Sequence, residues 1–273
     1  MIKTAITSAI VPQARQGPFV FHDDLPGSIT KAAKLGFDAI EIFPPAASAL
    51  NVRDLKKMTS DAGIKVAAIG TGAGFLIHKL TLIDPDAELR LKALEFVQRI
   101  IDIAAEFSAP AIIGSMQGRH ADGERNTSLN LLALSLGSLA AHAKMYGQPL
   151  LYEPLNRYET NLFNRQADSA DWLRTSRVDN VKILADLFHM NIEEADVPAA
   201  LRQVGDLLGH VHFVDSNRRA PGMGHTNFPP IIKALRDLKY QGYISAECFP
   251  IPDADTTAPK TIATYKHLLS QNI

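Results

Sequence analysis

The chain switches eight times between an amphipathic or polar stretch and a short apolar run, and this alternation restricts its fold more than any other feature. The apolar runs lie within 3–10, 35–43, 62–70, 108–115, 146–153, 178–186, 208–214 and 241–247. Between them lie segments with helical spacing, most clearly 86–107 and 129–145, where apolar residues recur every three or four positions. Eight strands alternating with helices predict an α/β protein of the (β/α)8, or TIM-barrel, class.

A doubly wound parallel sheet is the alternative architecture for such a pattern. A dinucleotide-binding sheet would carry Gly-x-Gly-x-x-Gly after a strand, whereas the glycine-rich segment at 70–75, GTGAGF, has a different spacing. The sequence also lacks a Gly-Lys-Ser/Thr phosphate-binding loop. Because its 273 residues contain no linker, low-complexity tract or further repeat, we expect a single TIM-barrel domain over 1–273.

Glycines mark the predicted ends of several helices. Each precedes an apolar run, where a left-handed backbone conformation commonly ends a helix. The glycines expected in that conformation are Gly36, Gly63, Gly147, Gly209 and Gly242.

The composition narrows the choice of partners and compartment. The net charge is −1 and the sequence has no basic run, so we expect neither nucleic acid nor a membrane surface as the main partner. A single cysteine, Cys248, excludes an intrachain disulfide and argues against a thiolate metal cluster. The first ten residues lack the apolar core of a signal peptide, and no apolar run reaches membrane-spanning length. A cytoplasmic protein is the resulting expectation.

Polar residues end four consecutive predicted strands. They are Glu153, Asp186, His212 and Glu247, each late in the apolar run of strands five to eight. One acid at a strand end is commonly a helix cap or salt-bridge partner, but barrel active sites lie at the C-terminal strand ends, where four such residues would meet. Burying them unpaired would be costly, so we predict that they bind one divalent cation. Oxygen-rich ligands with one nitrogen favour Mn²⁺ first, with Mg²⁺, Co²⁺ or Zn²⁺ as alternatives.

The segments around these residues resemble the xylose isomerase-like TIM-barrel superfamily, and within it the ketose 3-epimerases of the tagatose and psicose group. The matching segments are EPLNRYETN (153–161), ADLFHMNIEE (185–194), HVHFVDSNRRAPGMGHTNF (210–228) and YISAECF (243–249). The resemblance is specific over about 149–250. It implies metal ligation by the same four residues, and substrate contacts from Glu159, His189 and Arg218.

This resemblance implies C3 epimerisation of a ketose through an enediolate. An epimerase removes a proton from one face of a carbon and returns one to the other, and Glu153 and Glu247 are the predicted acid–base pair. Asp186 and His212 would hold the metal without transferring protons. His189 and Arg218 could neutralise the developing oxyanion, and Glu159 could hydrogen-bond a substrate hydroxyl.

The sequence also permits other functions. The same enediolate would serve an aldose–ketose isomerase such as hydroxypyruvate isomerase, or a lyase such as an inosose dehydratase. An abasic-site endonuclease needs several zinc ions and a basic DNA-binding face, and a non-enzymatic metal- or sugar-binding module is the remaining alternative. A small-molecule sugar is the expected partner, and a homo-oligomer, dimer or tetramer, is what the resemblance suggests.

Two loops and two buried polar residues complete the predictions. The loops at 11–24 and 115–126 differ from those of the ketose 3-epimerases, and Arg119 in the second could bind a substrate phosphate or carboxylate or could equally be a surface residue. Glu41 could line the same mouth or form a structural salt bridge. His210 lies one layer deeper than His212 on the same strand face and is expected to be a hydrogen-bonded core histidine.

Overall fold

Eight parallel strands close into a barrel in the computed structural model, which describes residues 1–271. The strands are β1 (Lys3–Ala9), β2 (Ala39–Phe43), β3 (Lys65–Gly70), β4 (Ala111–Ile113), β5 (Leu150–Tyr152), β6 (Val181–Asp186), β7 (Leu208–His212) and β8 (Tyr243–Ala246). Each pairs with the next, and β1 also pairs with β8 from Lys3–Tyr243 to Ile6–Ala246. This closed order confirms the predicted (β/α)8 class and all eight strands.

Helices connect the strands around the outside of the barrel. They are α1 (Leu25–Leu35), α2 (Val52–Ala62), α3 (Ala73–His78), α4 (Ala87–Ala105), α5 (Arg125–Met145), α6 (Gln166–Thr175), α7 (Leu187–Glu193), α8 (Val197–Val204), α9 (Phe228–Asp237) and α10 (Ala254–Ser270). Several helices are capped at their N-terminus by a side chain that accepts a backbone N–H of the first turn. Asp24 accepts the Gly27 N–H of α1, and Asn51 accepts the Asp54 N–H of α2. The short strand Phe21–His22 pairs with the end of β1, outside the barrel.

The glycine prediction is confirmed at three positions and wrong at two. Gly36, Gly63 and Gly147 have φ of 84°, 67° and 69°, whereas Gly209 and Gly242 are not left-handed. A Cβ on Gly209 would lie 2.6 Å from the Cβ of Lys182, and one on Gly242 would lie 2.3 Å from the Tyr240 hydroxyl. Close packing, not backbone conformation, requires glycine there.

The hydrophobic core has an outer and an inner part. The larger part lies between strands and helices, while Ala68, Ile112, Leu151 and Leu184 form a separate buried cluster. Leu151 and Leu184 precede Glu153 and Asp186 by two residues, so they share a strand face with them and fill the barrel below that polar layer. None of the helices described between residues 1 and 271 is long and apolar enough to cross a membrane.

Candidate active site

The four strand-end residues meet at the C-terminal mouth of the barrel. Asp186 ends β6 and His212 ends β7, and the two are paired in register, while Glu153 and Glu247 immediately follow β5 and β8. Nδ1 of His212 lies 3.4 Å from Oε1 of Glu153, 3.5 Å from Oδ2 of Asp186 and 3.7 Å from Oε2 of Glu247. One potential ligand atom from each residue lies within 4.8 Å of all the others.

These potential ligand atoms face a common point and are free to bind a cation. Oε1 of Glu153 and Nδ1 of His212 are buried without a hydrogen-bond partner, which is costly unless something else binds them. Two ligands on opposite sides of one ion, each about 2.1 Å from it, lie about 4.2 Å apart, so the observed spacing suits one ion. Three carboxylates and one imidazole fit a hard or borderline divalent cation.

Burial and neighbouring charges set the protonation of this cluster. Burial raises the pKa of Glu247 to about 8, although the charges of Arg218 and His212 oppose the rise. Burial lowers the pKa of His212, but the negative charges of Glu41 and Glu247 raise it by more. The His212 pKa is therefore well above its ordinary value. Protons therefore occupy sites that a cation would use, and metal binding would displace them.

Glu41 orients the imidazole ring of His212 by accepting a hydrogen bond from it. Its Oε1 lies 3.0 Å from Nε2 of His212 and its Oε2 lies 2.8 Å from Nε2 of His210, with all three residues buried. Because Nε2–H of His212 is donated to this carboxylate, Nδ1 is the nitrogen that faces the mouth, and its lone pair is available to a cation once the Nδ1 proton has left. His210 is the hydrogen-bonded core histidine that the sequence predicts, and Glu41 both forms the salt bridge and lines the mouth.

Glu41→Gln is expected to weaken Mn²⁺ binding to the metal-free protein by about 10- to 100-fold. Glutamine offers one acceptor oxygen where glutamate offers two, so its NH₂ group would face one of the two imidazoles and favour the wrong tautomer there. Isothermal titration calorimetry measures the affinity, with circular dichroism as the check on folding. His210→Asn is the matched control, because it leaves the Glu41–His212 bond in place and should change the affinity little. Equal affinities for Glu41→Gln and the wild type would contradict the orienting role.

His189 places a free donor beside the carboxylates. Its Nδ1 accepts the backbone N–H of Asn156 at 3.3 Å, so the ring proton lies on Nε2. That Nε2 has no hydrogen-bond partner and lies 3.9 Å from Oε1 of Glu153 and 3.6 Å from Oδ2 of Asp186. The position follows from α7, which begins directly after β6 because Asp186 caps it by accepting the Phe188 N–H at 2.7 Å. A buried N–H at this mouth can donate to a substrate oxygen.

Arg218 reaches the same carboxylates from the loop after β7. Its Nη2 hydrogen-bonds Oε2 of Glu247 and lies 3.4 Å from Oδ2 of Asp186, and its Cζ lies 4.8 Å from the centre of the Phe188 ring. Burial opposes its charge, but the neighbouring carboxylates outweigh this and raise the Arg218 pKa. Glu159 lies 3.8 Å from Nη1 of Arg218. The structure thus brings all seven predicted site residues to one mouth.

Asp215 holds the loop that carries Arg218. Its carboxylate accepts the N–H groups of Ser216, Gly222 and Thr226 at 2.8, 2.8 and 3.0 Å. The backbone carbonyl of Asp215 accepts the Arg218 N–H at 2.8 Å. Arg218 has a φ of 55°, a backbone conformation that favours glycine. Burial would raise the Asp215 pKa, but the backbone hydrogen bonds outweigh it and hold the pKa below its ordinary value.

Asp215→Asn is expected to reduce the free energy of unfolding at pH 7 by about 1–3 kcal/mol and to lower kcat/KM through displacement of Arg218. The lowered pKa means that ionised Asp215 stabilises the fold above the unfolded-state pKa of about 3.9, and that this contribution is lost as pH falls through the folded-state pKa. Urea unfolding of both proteins between pH 7 and pH 3.5 should therefore show a difference that shrinks below about pH 4. A difference that stays constant over that range would refute the ionised role.

A cavity of about 450 Å³ opens over these residues. Its walls include the loops after β1, β3 and β4, and Phe19, Phe43 and Phe75 line it together with the residues of the mouth. Gly114 leaves room for Glu153, because a Cβ there would lie 2.7 Å from Oε2 of that glutamate. Arg119 does not line the cavity. It is exposed and donates to the Tyr158 carbonyl at 3.2 Å, so it is not placed to bind a substrate in this cavity.

Comparison with known proteins gives one family and a consistent group of relatives. A family model described as xylose isomerase-like TIM barrel matches residues 29–267. A D-psicose 3-epimerase from Agrobacterium fabrum is 32% identical over 238 residues, which cover 81% of this chain and 78% of that protein. A 3-dehydro-D-guloside 4-epimerase from Escherichia coli is 31% identical over 227 residues, covering 78% and 83%.

The solved structures agree with the sequence relatives. A crystal structure of D-psicose 3-epimerase in the presence of D-fructose superposes with a TM-score of 0.81 at 25% identity. The match covers 99% of this chain and 100% of that chain. The similarity therefore extends over the whole barrel and includes its N-terminal half.

Proposed function

Because this chain belongs to the xylose isomerase-like TIM-barrel family, we propose that it is a divalent-metal-dependent sugar epimerase that inverts C3 of a ketose. One observation carries the proposal: Glu153 and Glu247 converge with Asp186 and His212 so that ligand atoms of all four lie within 4.8 Å of one another. Ligation alone does not need two glutamates, whereas inversion of a carbon needs two proton carriers. The curated relatives that cover most of the chain are epimerases, which supports this function over the alternatives.

We propose that Glu153 and Glu247 transfer the protons. They follow β5 and β8, three strands apart around the barrel, so they would approach a bound ketose from different sides. A divalent cation held by the four ligands would polarise the carbonyl and stabilise the enediolate.

The remaining site residues would bind and orient the substrate. His189 has a free, buried Nε2–H, and Arg218 keeps its charge beside Glu247. Both can donate to the oxygen on which negative charge develops. Glu159, with about two fifths of its side chain exposed, can accept from a substrate hydroxyl. Asp186 and His212 would ligate the metal without transferring a proton.

Several finer features belong to this proposal. We propose Mn²⁺ as the metal, with Mg²⁺, Co²⁺ or Zn²⁺ as alternatives, because oxygen ligands predominate. We also propose that the barrel domain spans 1–273, of which 272–273 lie outside the described residues. The cytoplasmic location and the homo-oligomer stay predictions of the sequence.

Solvent exchange tests the function directly. The protein, loaded with Mn²⁺, is incubated with a panel of free ketoses in D₂O and followed by NMR. An epimerase replaces C3–H by deuterium and accumulates the C3 epimer, an isomerase yields an aldose, and a dehydratase yields a product that has lost water. Absence of exchange across the panel would overturn the proposal, as would tight, salt-sensitive binding to abasic DNA accompanied by strand cleavage.

A further inference from the structure

We propose that Asn156 is a positioning residue, whose side-chain amide holds the imidazole of His189 and the carboxylate of Glu159 in place for binding the substrate. Both of those residues line the cavity, whereas Asn156 is 2% exposed and is not among the described residues that line it. Asn156 would therefore act on a ketose only through its two neighbours. Its role rests on the proposed function, because that function gives His189 and Glu159 their substrate.

The direction of the Asn156 amide is fixed by the backbone of its own loop. Its Oδ1 lies 3.0 Å from the backbone nitrogen of Tyr158. A backbone N–H can only donate, so the amide atom that faces it is the oxygen. The NH₂ group therefore points the other way, where Nδ2 lies 2.7 Å from Nδ1 of His189 and 3.1 Å from Oε1 of Glu159.

This amide keeps the proton of His189 on the nitrogen that faces the mouth. Nδ1 of His189 receives two donors, the Asn156 NH₂ group and the Asn156 backbone N–H, so the proton of the neutral ring lies on Nε2. Oε1 of Glu159 lies 3.8 Å from Nδ1 and would attract a proton to it if the amide were absent. Since the same amide donates to both groups, one buried side chain sets the tautomer of His189 and the position of Glu159.

Further contacts hold the backbone of Asn156 against the helix that carries His189. Arg157, the next residue, binds Glu193 at the end of α7 through its backbone N–H at 2.7 Å and through its guanidinium at 2.9 Å. The Asn156 carbonyl accepts the Glu159 N–H at 3.0 Å. Because these contacts do not use the Asn156 side chain, a substitution that changes only its amide group leaves them in place.

Asn156→Asp tests the positioning role. A carboxylate has nearly the shape of the amide and can still accept the Tyr158 N–H, but it cannot donate to His189 or Glu159. The kcat/KM for C3 epimerisation by the Mn²⁺-loaded protein is expected to fall at least about tenfold, the loss typical when the hydrogen-bond partner that orients a functional histidine is removed.

The tautomer of His189 is measured separately from activity. In ¹⁵N NMR of histidine-labelled protein loaded with diamagnetic Mg²⁺, protonated and unprotonated ring nitrogens have well-separated shifts, and His189→Asn identifies the signals by their absence. In the wild type, Nδ1 of His189 should be unprotonated and Nε2 protonated. In Asn156→Asp, the new carboxylate faces Nδ1 and accepts a proton from it, so Nδ1 should become protonated.

Asn164→Asp is the matched control for loosening of the loop. The Asn164 amide donates to the Leu155 carbonyl at 2.8 Å and to the Thr160 carbonyl at 3.1 Å, so both of its hydrogens are engaged away from His189. This variant costs the same loop two hydrogen bonds, but it should leave the Nδ1 signal of His189 in its wild-type position.

The outcomes separate the role of Asn156 from the proposed function. A wild-type protein with the His189 proton on Nδ1 would overturn the positioning role, and this measurement does not depend on the folding of any variant. An Asn156→Asp protein that keeps the wild-type tautomer, or that epimerises ketoses at the wild-type rate, would overturn it as well and leave the epimerase function standing. Absence of C3–H exchange by the wild type across all ketoses would overturn the proposed function, and the role of Asn156 in it would fall too.

Discussion

Glu247→Gln is expected to slow C3 epimerisation by at least about a thousandfold while preserving the fold. The amide is nearly isosteric with the carboxylate but cannot take up or deliver a proton. Glu153→Gln should have an effect of similar size, because inversion at one carbon needs a proton carrier on each face. The rate is measured by NMR as formation of the C3 epimer, in both directions.

Deuterium exchange without inversion distinguishes the two glutamates. Each variant retains one proton carrier, so in D₂O it should still exchange C3–H in one epimer and return deuterium to the same face. The epimer that exchanges in Glu247→Gln should be the opposite of the one that exchanges in Glu153→Gln. If both variants exchange the same epimer, the assignment of the glutamates to opposite faces is wrong.

Asp186→Asn is the control that separates metal binding from proton transfer. It removes a predicted ligand charge, and asparagine can still accept the Phe188 N–H that begins α7. We expect saturating Mn²⁺ to restore much of its activity and to restore none of the epimerisation lost in the two glutamine variants. Unchanged turnover of Glu247→Gln would remove the proton-transfer assignment.

Removal of the metal by a chelator is expected to reduce epimerisation to the uncatalysed background, with recovery on addition of Mn²⁺. A metal present at 100 times its Kd stabilises the folded state by about 2.7 kcal/mol. For a chain of this size that corresponds to a rise in Tm of roughly 5–10 °C. Differential scanning calorimetry of metal-free and Mn²⁺-loaded protein measures the shift independently of activity.

A variant that lacks two of the predicted ligands provides the control for the calorimetric measurement. In the double variant Asp186→Ala/Glu247→Ala, Mn²⁺ should raise Tm by much less, since two of the four ligands are absent. Full activity in chelated protein, with elemental analysis finding no bound metal, would exclude the metal-dependent function. A Tm rise of equal size in the double variant would instead place the metal elsewhere.

The fold and the cluster of four polar residues at the mouth could be predicted for a common reason. A strand between two helical segments shows itself through local apolar runs and helical spacing, which need no knowledge of distant contacts. Once a barrel is inferred, the last residues of its strands must meet at one mouth. Glu153, Asp186, His212 and Glu247 could be found in this way.

The hydrogen-bond partners of the supporting residues could not be found by the same reasoning. Glu41 lies on β2 and bonds to two histidines of β7, across the barrel, and the register of β2 against β3 shifts between Ile40 and Glu41. Which histidine nitrogens the Glu41 carboxylate reaches depends on how β2 is placed against strands that are distant in sequence, and no single segment shows this. Asp215 gives only the weak signal of an acid in a polar loop, although its carboxylate holds that loop together.

The sequence by itself determined the order of strands and helices, the barrel and the residues at its strand ends, because each of these follows from local periodicity and a known chain direction. Tertiary structure alone decided which groups lie within bonding distance across the barrel. It paired Glu41 with His212, held Phe43 against Gly70 and Gly72, and made Gly209 necessary for packing. These contacts depend on strand register and loop shape, which are set by the packing of the whole barrel and leave no periodic trace in any one segment.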